Sequence, residues 1–287
     1  MITRIVENTS ESIRKTCEVL GVARSSFYEA RTPSARRSED DRLGNIIESI
    51  FREHRRRYGY RRIHSEMIDR KEFCTQERVR RLMRERGLLA LCSRRFVPRT
   101  SDGKASLPAA NLLEGRALPE APNQVWAGDI TYIPSSGGWL YLAVVIDLFS
   151  RRIVGWHLND HMKSDLVVGA LKKALATRAP LPGELIFHSD RGSQYGSRAF
   201  RSCLEENGIA QSMSKKAYPY DNAWTESFMG TLKSEMLGGG IFDTPADAQA
   251  ALFEYIESYY NTKRKHSSLG YRTPSGIENL ILTVLHK

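Results

Sequence analysis

"VWAGDITYIPSSGGWLYLAVVIDLFSRRIVGWHLN", residues 125–159, holds three runs rich in β-branched and aromatic residues. They are VWAGDITYI, GWLYLAVVID and RRIVGWHLN, and turn residues separate them, the first turn being Ser135-Ser136-Gly137-Gly138. Runs of this composition with short polar connections read as consecutive antiparallel strands. Beyond them the pattern changes. SDLVVGALKKALATR reads as a helix, ELIFHSD as a fourth strand, SRAFRSCLEENG as a helix and IAQSMS as a short fifth strand. A helix over DNAWTESFMGTLKSE follows. Three antiparallel strands and then alternating helices and strands give an α/β domain, a mixed five-stranded sheet with helices on its faces. A last helix, residues 245–260, has Thr244 as cap and Pro245 in its first turn, and runs into the polar, basic and aromatic YYNTKRKHSSLGYRTP.

The stretch before the sheet is different. Residues 93–121 lack a clear period, contain Pro98, Pro108 and Pro119, and read as a linker, so that the second domain starts near Pro122. Upstream, SIRKTCEVLGVARSSFYEA, residues 12–30, has apolar-periodic segments on both sides of Gly21. This is the pattern of a helix-turn-helix and equally of an ordinary helical hairpin. PSARRSEDDR, residues 33–42, is polar and reads as a linker. Three apolar stripes follow: Ile46, Ile47, Ile50 and Phe51; Ile63 and Met67; Val79, Leu82 and Met83. Thr75 is placed to cap the third helix and Gly87 to end it. The expected organisation is a helix-turn-helix module over 1–35, a second helix-turn-helix-like domain over 43–92, the linker 93–121, the sheet domain over 122–238, and a helical, basic extension over 239–287.

Charge separates these parts. Of the net +10, residues 1–100 carry the whole excess, with 24 Lys and Arg against 14 Asp and Glu; residues 101–287 carry 19 of each sign. The excess is mostly arginine, whose planar fork suits phosphate, so the first third reads as a nucleic-acid binder, although a solvated basic surface has the same composition. The third helix carries Arg78, Arg80, Arg81, Arg84 and Arg86, which fits a DNA reader or a solvated helix with internal ion pairs. The four cysteines, Cys17, Cys74, Cys92 and Cys203, are far apart and form neither a disulfide frame nor a zinc site. There is no signal-peptide core, and no apolar run approaches the roughly 20 residues of a membrane span. A cytoplasmic, nucleoid-associated protein is expected.

Three carboxylates fall at element ends. Asp129 lies in the first strand, Asp190 ends the fourth, and Glu226 lies on the helix after the fifth. Functional groups gather where strands end and loops begin. Converging carboxylates repel one another unless a cation neutralises them, and hard oxygen ligands suit Mg²⁺. Two such ions, roughly 4 Å apart, clamp the attacking and leaving oxygens of an in-line displacement at phosphorus. Along the helix, Asn222 and Lys233 lie at i−4 and i+7 from Glu226, near its face, and Asp221 is a suitable N-cap. Lys233 is placed to reach a phosphate, and Asn222 to orient Glu226 or touch DNA. No Walker-type glycine motif or Ser-His-Asp arrangement competes.

The element order matches the ribonuclease-H-like arrangement, in which the first and fourth strands are neighbours. The spacing of 35 residues between Asp190 and Glu226, with a basic residue seven positions after the glutamate, resembles the D,D(35)E pattern of retroviral-integrase-type recombinases. NQVWAGDITYI, GWLYLAVVIDLFSRRIVGW, FHSDRGSQY, DNAWTESFMGTLKSE and YYNTKRKHSSLGYRTP are similar to motifs of bacterial insertion-sequence transposases of the group named after insertion sequence three, in the product of their downstream reading frame. RYGYRRIHSEM with RVRRLMRERGLL resembles that group's helix-turn-helix-like region, and VLGVARSSFYEAR its first small helical module. One departure is Gly128, where the family more often has threonine.

The resemblance implies a DNA transposase. Asp129, Asp190 and Glu226 would be its catalytic metal ligands, binding two Mg²⁺ per site with Mn²⁺ able to substitute. Hydrolysis at an element end would free a 3′-hydroxyl, which then attacks another phosphodiester. Double-stranded DNA, as terminal inverted repeats and target, is the implied partner. The protein would act as a homodimer or larger, with the upstream reading-frame product as a further partner. The positions these readings place against DNA are Lys233, Asn222, Arg24, Ser25, Arg61, Arg62, Arg78, Arg81, Lys215, Lys216 and His266. The alternatives are a non-catalytic DNA-binding regulator of the element and a structure-selective nuclease of the ribonuclease H class.

Overall fold

The computed structural model describes residues 12–24, 35–91, 109–214, 223–238 and 240–285. They fall into two compact units, Met1–Ala90 and Leu91–Lys287.

In the second unit, β1 (Val125–Ser135) is the middle of a five-stranded sheet. β2 (Gly138–Asp147) returns antiparallel beside it, and β3 (Ile153–Asn159) pairs antiparallel on the far side of β2. On the other flank β4 (Ile186–Ser189) runs parallel to β1, and β5 (Ala210–Met213) parallel to β4, so the order is β3-β2-β1-β4-β5. The β1–β2 hairpin closes through Ser136-Gly137, with Ser135 opposite Gly138. A strand central in a sheet with helices on its faces is buried on both sides. Residues 125–131 of β1 are accordingly buried without a break.

Helix α5 (Ser164–Arg178) packs on β2 and β3. Gly155 makes that approach possible: a Cβ there would stand 2.3 Å from the carbonyl oxygen of Ala170. Helix α6 (Arg198–Glu206) starts at Ser197, whose hydroxyl accepts the Phe200 N–H. Trp126, Phe187, Phe200 and Leu166 are fully buried in the core between these helices and the sheet.

Helix α7 (Ala223–Leu232) runs into a π-helical turn, Lys233–Leu237. Helix α8 (Pro245–Phe253) begins with a reciprocal cap between Thr244 and Asp247, and runs into a second π turn, Glu254–Tyr260. This C-terminal part covers the outer strand β3. The Asn261 side chain accepts from Ile153 N–H at 2.9 Å and donates to Ile153 O at 3.0 Å, and Trp156 Nε1 donates to Glu257 at 2.9 Å. An edge strand is thereby closed to further pairing. Helix α9 (Pro274–Leu285) lies beyond the last helix that the sequence pattern marks. Its buried Glu278 accepts from Arg152 at 2.9 Å and from Arg178, which ties the chain's end to β3 and α5.

Glu235 and Arg264 form a second buried pair. The guanidinium is bonded twice to the carboxylate, at 2.7 and 2.8 Å, and Tyr255 adds a hydroxyl at 3.0 Å. Tyr259 is core at 8% exposure.

The first unit holds α1 (Ile13–Val19), α2 (Ala35–Glu53), α3 (Tyr60–Asp69) and α4 (Gln76–Glu85). Thr75 caps α4, and Gly87 follows it with φ +65°. Leu43, Ile47, Ile50, Phe51, Tyr58, Ile63, Met67, Val79 and Leu82 are its buried core. Residues 35–42, expected as linker, are instead the first turns of α2. Their polarity misleads because the charges are partnered: Arg42 bonds Glu39 and Glu72, while Asp40 accepts from both Arg78 and Arg81 at 2.7 Å. The second segment of the first helical module, after Arg24, lies outside the described residues.

Breaking one partner of a buried ion pair leaves the other uncompensated, a loss of about 3–5 kcal/mol. Arg264→Met is expected to lower stability by about that much in urea unfolding. Adding Glu235→Gln to it should recover most of the loss while leaving Tyr255 an acceptor. Equal stability of the two variants would contradict the uncompensated-charge account.

Candidate functional site

The sheet register decides where the acids meet. β1 and β4 pair in parallel up to Gly128 opposite Ser189. One residue further on, Asp129 stands level with Asp190. Asp129 is buried inside β1, and its Oδ1 accepts the N–H of Ile130 at 2.8 Å. Asp190 leaves β4 and braces its own loop, with Oδ1 accepting the Gly192 N–H at 2.9 Å. Arg191 Nε donates to Ser214 O at 2.8 Å and pins the loop to the end of β5.

Burial and then the charge of Asp190 push the Asp129 carboxyl up to about 8; Glu226 adds to this, while the Ile130 N–H and the Lys233 ammonium oppose it. Two acids with one low-dielectric place between them cannot both ionise without cost.

Glu226 comes from α7, which packs on β1. Thr225, Phe228, Met229 and Leu232 form the buried stripe of that helix. Glu226, Gly230 and Lys233 follow one another at i, i+4 and i+7 on an adjoining face. Among the described residues nothing lies within 4 Å of a Cβ built on Gly230, so none of them fills the face between the carboxylate and the ammonium. Glu226 itself is exposed. Lys233 is half-buried; desolvation lowers its pKa and Asp129 pulls it back up. Among the described residues, no three His, Cys, Asp or Glu side chains surround a single ion-sized point. The aspartates are level, and Glu226 shares their electrostatic field without closing on them.

Other expected contacts fare differently. Arg78 and Arg81 are engaged within their own unit by Asp40, a partner 38 residues and more away that helical spacing does not reveal. His266 is buried: its N–H donates to Arg272 O at 3.0 Å, and its ring stands edge-on to Tyr260 at 4.8 Å. It belongs to the packing around Arg264 and not to an open basic segment. Arg61 is exposed, and its guanidinium and that of Arg80 both lie against the Tyr60 ring, at 5.5 and 5.8 Å. Arg62 lies over Tyr58 at 5.7 Å. Arg24 is exposed. Ser25, Lys215, Lys216, Asp221 and Asn222 lie outside the described residues.

Sequence reading missed Glu235, Arg264 and Tyr195. Arg264 sits in a run of basic residues that looks solvent-directed. Tyr195, five residues after Asp190, is a buried aromatic whose hydroxyl lies by β1. The donor set around Asp129 is oxygen alone, charged and partly desolvated, which fits a hard divalent cation.

The chain matches models described as "Integrase core domain" over residues 119–219 and again over 207–274, and one described as "HTH-like domain" over 38–96. It is 44% identical over 248 residues to the transposase for insertion sequence element IS904 of Lactococcus lactis, an alignment covering 86% of this chain and 98% of the relative. It is 39% identical over 272 residues to the transposase InsF for insertion sequence IS3A of Escherichia coli, covering 93% and 94%. Among solved structures it is similar to the simian T-cell lymphotropic virus intasome, at 17% identity and TM-score 0.48 over 77% of this chain and 74% of the other. The HTLV-2 integrase catalytic core with magnesium aligns at 21% identity and TM-score 0.42 over 55% and 98%. Its five-stranded sheet order, its integrase core and its identity along nearly the whole length of these relatives make the chain a member of the bacterial insertion-sequence transposases, with an integrase-type, ribonuclease-H-like core.

Proposed function

We propose that this protein cuts at the 3′ ends of its insertion sequence and transfers the freed strands, using Asp129, Asp190 and Glu226 as ligands for two Mg²⁺ ions, with Mn²⁺ able to substitute. The observation that carries the reading is the buried Asp129, level with Asp190 and within the field of Lys233, at the centre of the sheet. When bound, the ions supply Lewis-acid activation and neutralise charge at the phosphorus. The chain does the rest. β1 and β4 hold two ligands on rigid backbone. Helix α7 brings Glu226 toward them, and its open face at Gly230 leaves room for a phosphodiester between Glu226 and Lys233. Lys233, half-desolvated, is a cation that a phosphate would complete. The substrate is double-stranded DNA at the terminal inverted repeats, and a homodimer or larger assembly would serve two ends. Whether the upstream reading-frame product joins it is part of the same test.

Incubation of the protein with element-end DNA and Mg²⁺ should yield 3′ nicks and joined strands. Glu226→Gln should lower the yield about 100-fold or more, several kcal/mol of transition-state stabilisation being removed. Specific binding without product from the wild type, alone and with the upstream product, would favour the regulator reading instead.

Mutual repulsion should also be visible without DNA. Asp129→Asn removes a buried carboxyl that is costly either ionised or protonated far above its usual range, and keeps the acceptor for Ile130. It is expected to raise the metal-free melting temperature by a few degrees, on the order of 1–2 kcal/mol, and to abolish stabilisation by Mg²⁺. A Mg²⁺ response that survives the substitution would remove Asp129 from the ligand set.

In the first unit, Arg61 and Arg80 converge on the Tyr60 ring, whereas Arg78 and Arg81 share Asp40. Replacing both Arg61 and Arg80 by Gln should flatten the salt dependence of DNA binding, by about one unit of slope for each phosphate no longer neutralised. Arg78→Gln with Arg81→Gln should instead lower the melting temperature and leave the slope unchanged. The reverse pattern would make Arg78 and Arg81 the DNA-binding pair.

A further inference from the structure

The Tyr195 ring is 2% exposed and packs edge-on against Phe200, with centroids 5.3 Å apart, and at a tilt to Phe187 at 6.1 Å. Its hydroxyl is fully buried and has no hydrogen-bond partner among the described residues. The oxygen lies against β1 beside the residue that precedes Asp129: a Cβ on Gly128 would stand 3.1 Å from it and 2.6 Å from Cζ of Phe187. The missing side chain at 128 therefore makes the space that the phenol enters. Burial, then Asp129, then Asp190 keep that phenol in its neutral, donating form.

The position of the ring is set by the same loop that holds Asp190. Tyr195 N–H donates to Gly192 O at 3.2 Å, and Gln211 Nε2 donates to Tyr195 O at 2.8 Å. Gly192 in turn donates to Asp190 Oδ1. One short loop thus braces an aspartate and returns a phenol into the protein interior by the other aspartate's strand.

A buried hydroxyl without a partner is destabilising, and phenylalanine would fill the same aromatic space without that cost. Packing does not account for the oxygen. We propose that Tyr195 is a positioning residue of the two-aspartate site: its hydroxyl is a donor held for the Asp129–Asp190 carboxylates, fixing them when a divalent cation is bound. The proposal rests on the metal-binding reading above. It explains why a donor is placed where two acids are crowded. Among the described residues the phenol has no acceptor while the acids are crowded, and a cation in the site would answer both.

The test is Tyr195→Phe, followed by thermal melting without metal and across a Mg²⁺ series, with Mn²⁺ as a second cation. The expected result is a metal-free melting temperature equal to or above that of the wild type. The cation concentration for half-maximal stabilisation should rise about tenfold, as for partners that orient metal ligands elsewhere. An unchanged cation midpoint overturns the proposal. So does a lowered metal-free melting temperature, because the hydroxyl would then already have a partner. A wild type that does not respond to either cation removes the metal reading, and the proposal with it. A wild type that responds and a variant that matches it removes the proposal alone.

Discussion

The parallel pairing of β1 with β4 is the contact on which the catalytic unit depends. A parallel pair cannot be joined by a tight turn; it needs a crossover, and here the crossover is the β2–β3 hairpin followed by α5. Once Gly128 is opposite Ser189, the next residue along each chain segment is an aspartate, Asp129 inside β1 and Asp190 just past β4. The fold therefore uses hydrophobic burial of Trp126, Phe187, Leu166 and Phe200 to hold two like charges side by side. Such an arrangement is unfavourable by itself and is informative for that reason. Crowded acids in a core are a functional-site signal, and they fit the cation binding proposed above.

The sheet was legible because its signals are local. Strand composition, the Ser135–Gly138 turn and the proximity of acids to strand ends lie within short windows, and the order of elements then restricts the topology. The side-chain partners were not legible. Asp40 meets Arg78 and Arg81 across about forty residues, Glu235 meets Arg264 across 29, and Glu278 meets Arg152 and Arg178 across 100 or more. A charged residue reads as solvated or as phosphate-binding until its partner is known. That is why α2 looked like a linker at its start, and why the Asp40 partner of Arg78 and Arg81 stayed hidden. In these cases the pairing is long-range, and composition alone carries no trace of it.

The C-terminal segment has a function beyond covering an edge. Asn261, Glu257 and Glu278 clip it to β3 and α5, and from that fixed base Arg264 reaches Glu235. Glu235 lies in the π turn two residues beyond Lys233. The buried pair contributes little net stability, since desolvation offsets most of the Coulomb gain. Its geometry matters more: a two-point guanidinium grip fixes both the height and the rotation of the turn. It therefore constrains the end of α7 from which Lys233 projects, and Phe228 on Tyr260 constrains the middle.

These constraints divide the site into a fixed half and an adjustable half. Asp129 lies inside β1 and Asp190 directly after β4, and their separation is set by the pairing of those strands. Glu226 sits exposed in the first turn of α7, the end farthest from the Glu235–Arg264 grip. That no closed three-acid cluster forms among the described residues follows from this division. The rigid pair is repulsive, and the third carboxylate has no reason to approach it without positive charge between them. Lys233 supplies a little of that charge, enough to oppose the rise in the Asp129 pKa and not enough to reverse it. On the proposed reading a divalent cation would supply the remainder. The same electrostatics that keep the third acid apart in the free chain would draw it in once the charge at the centre changes sign.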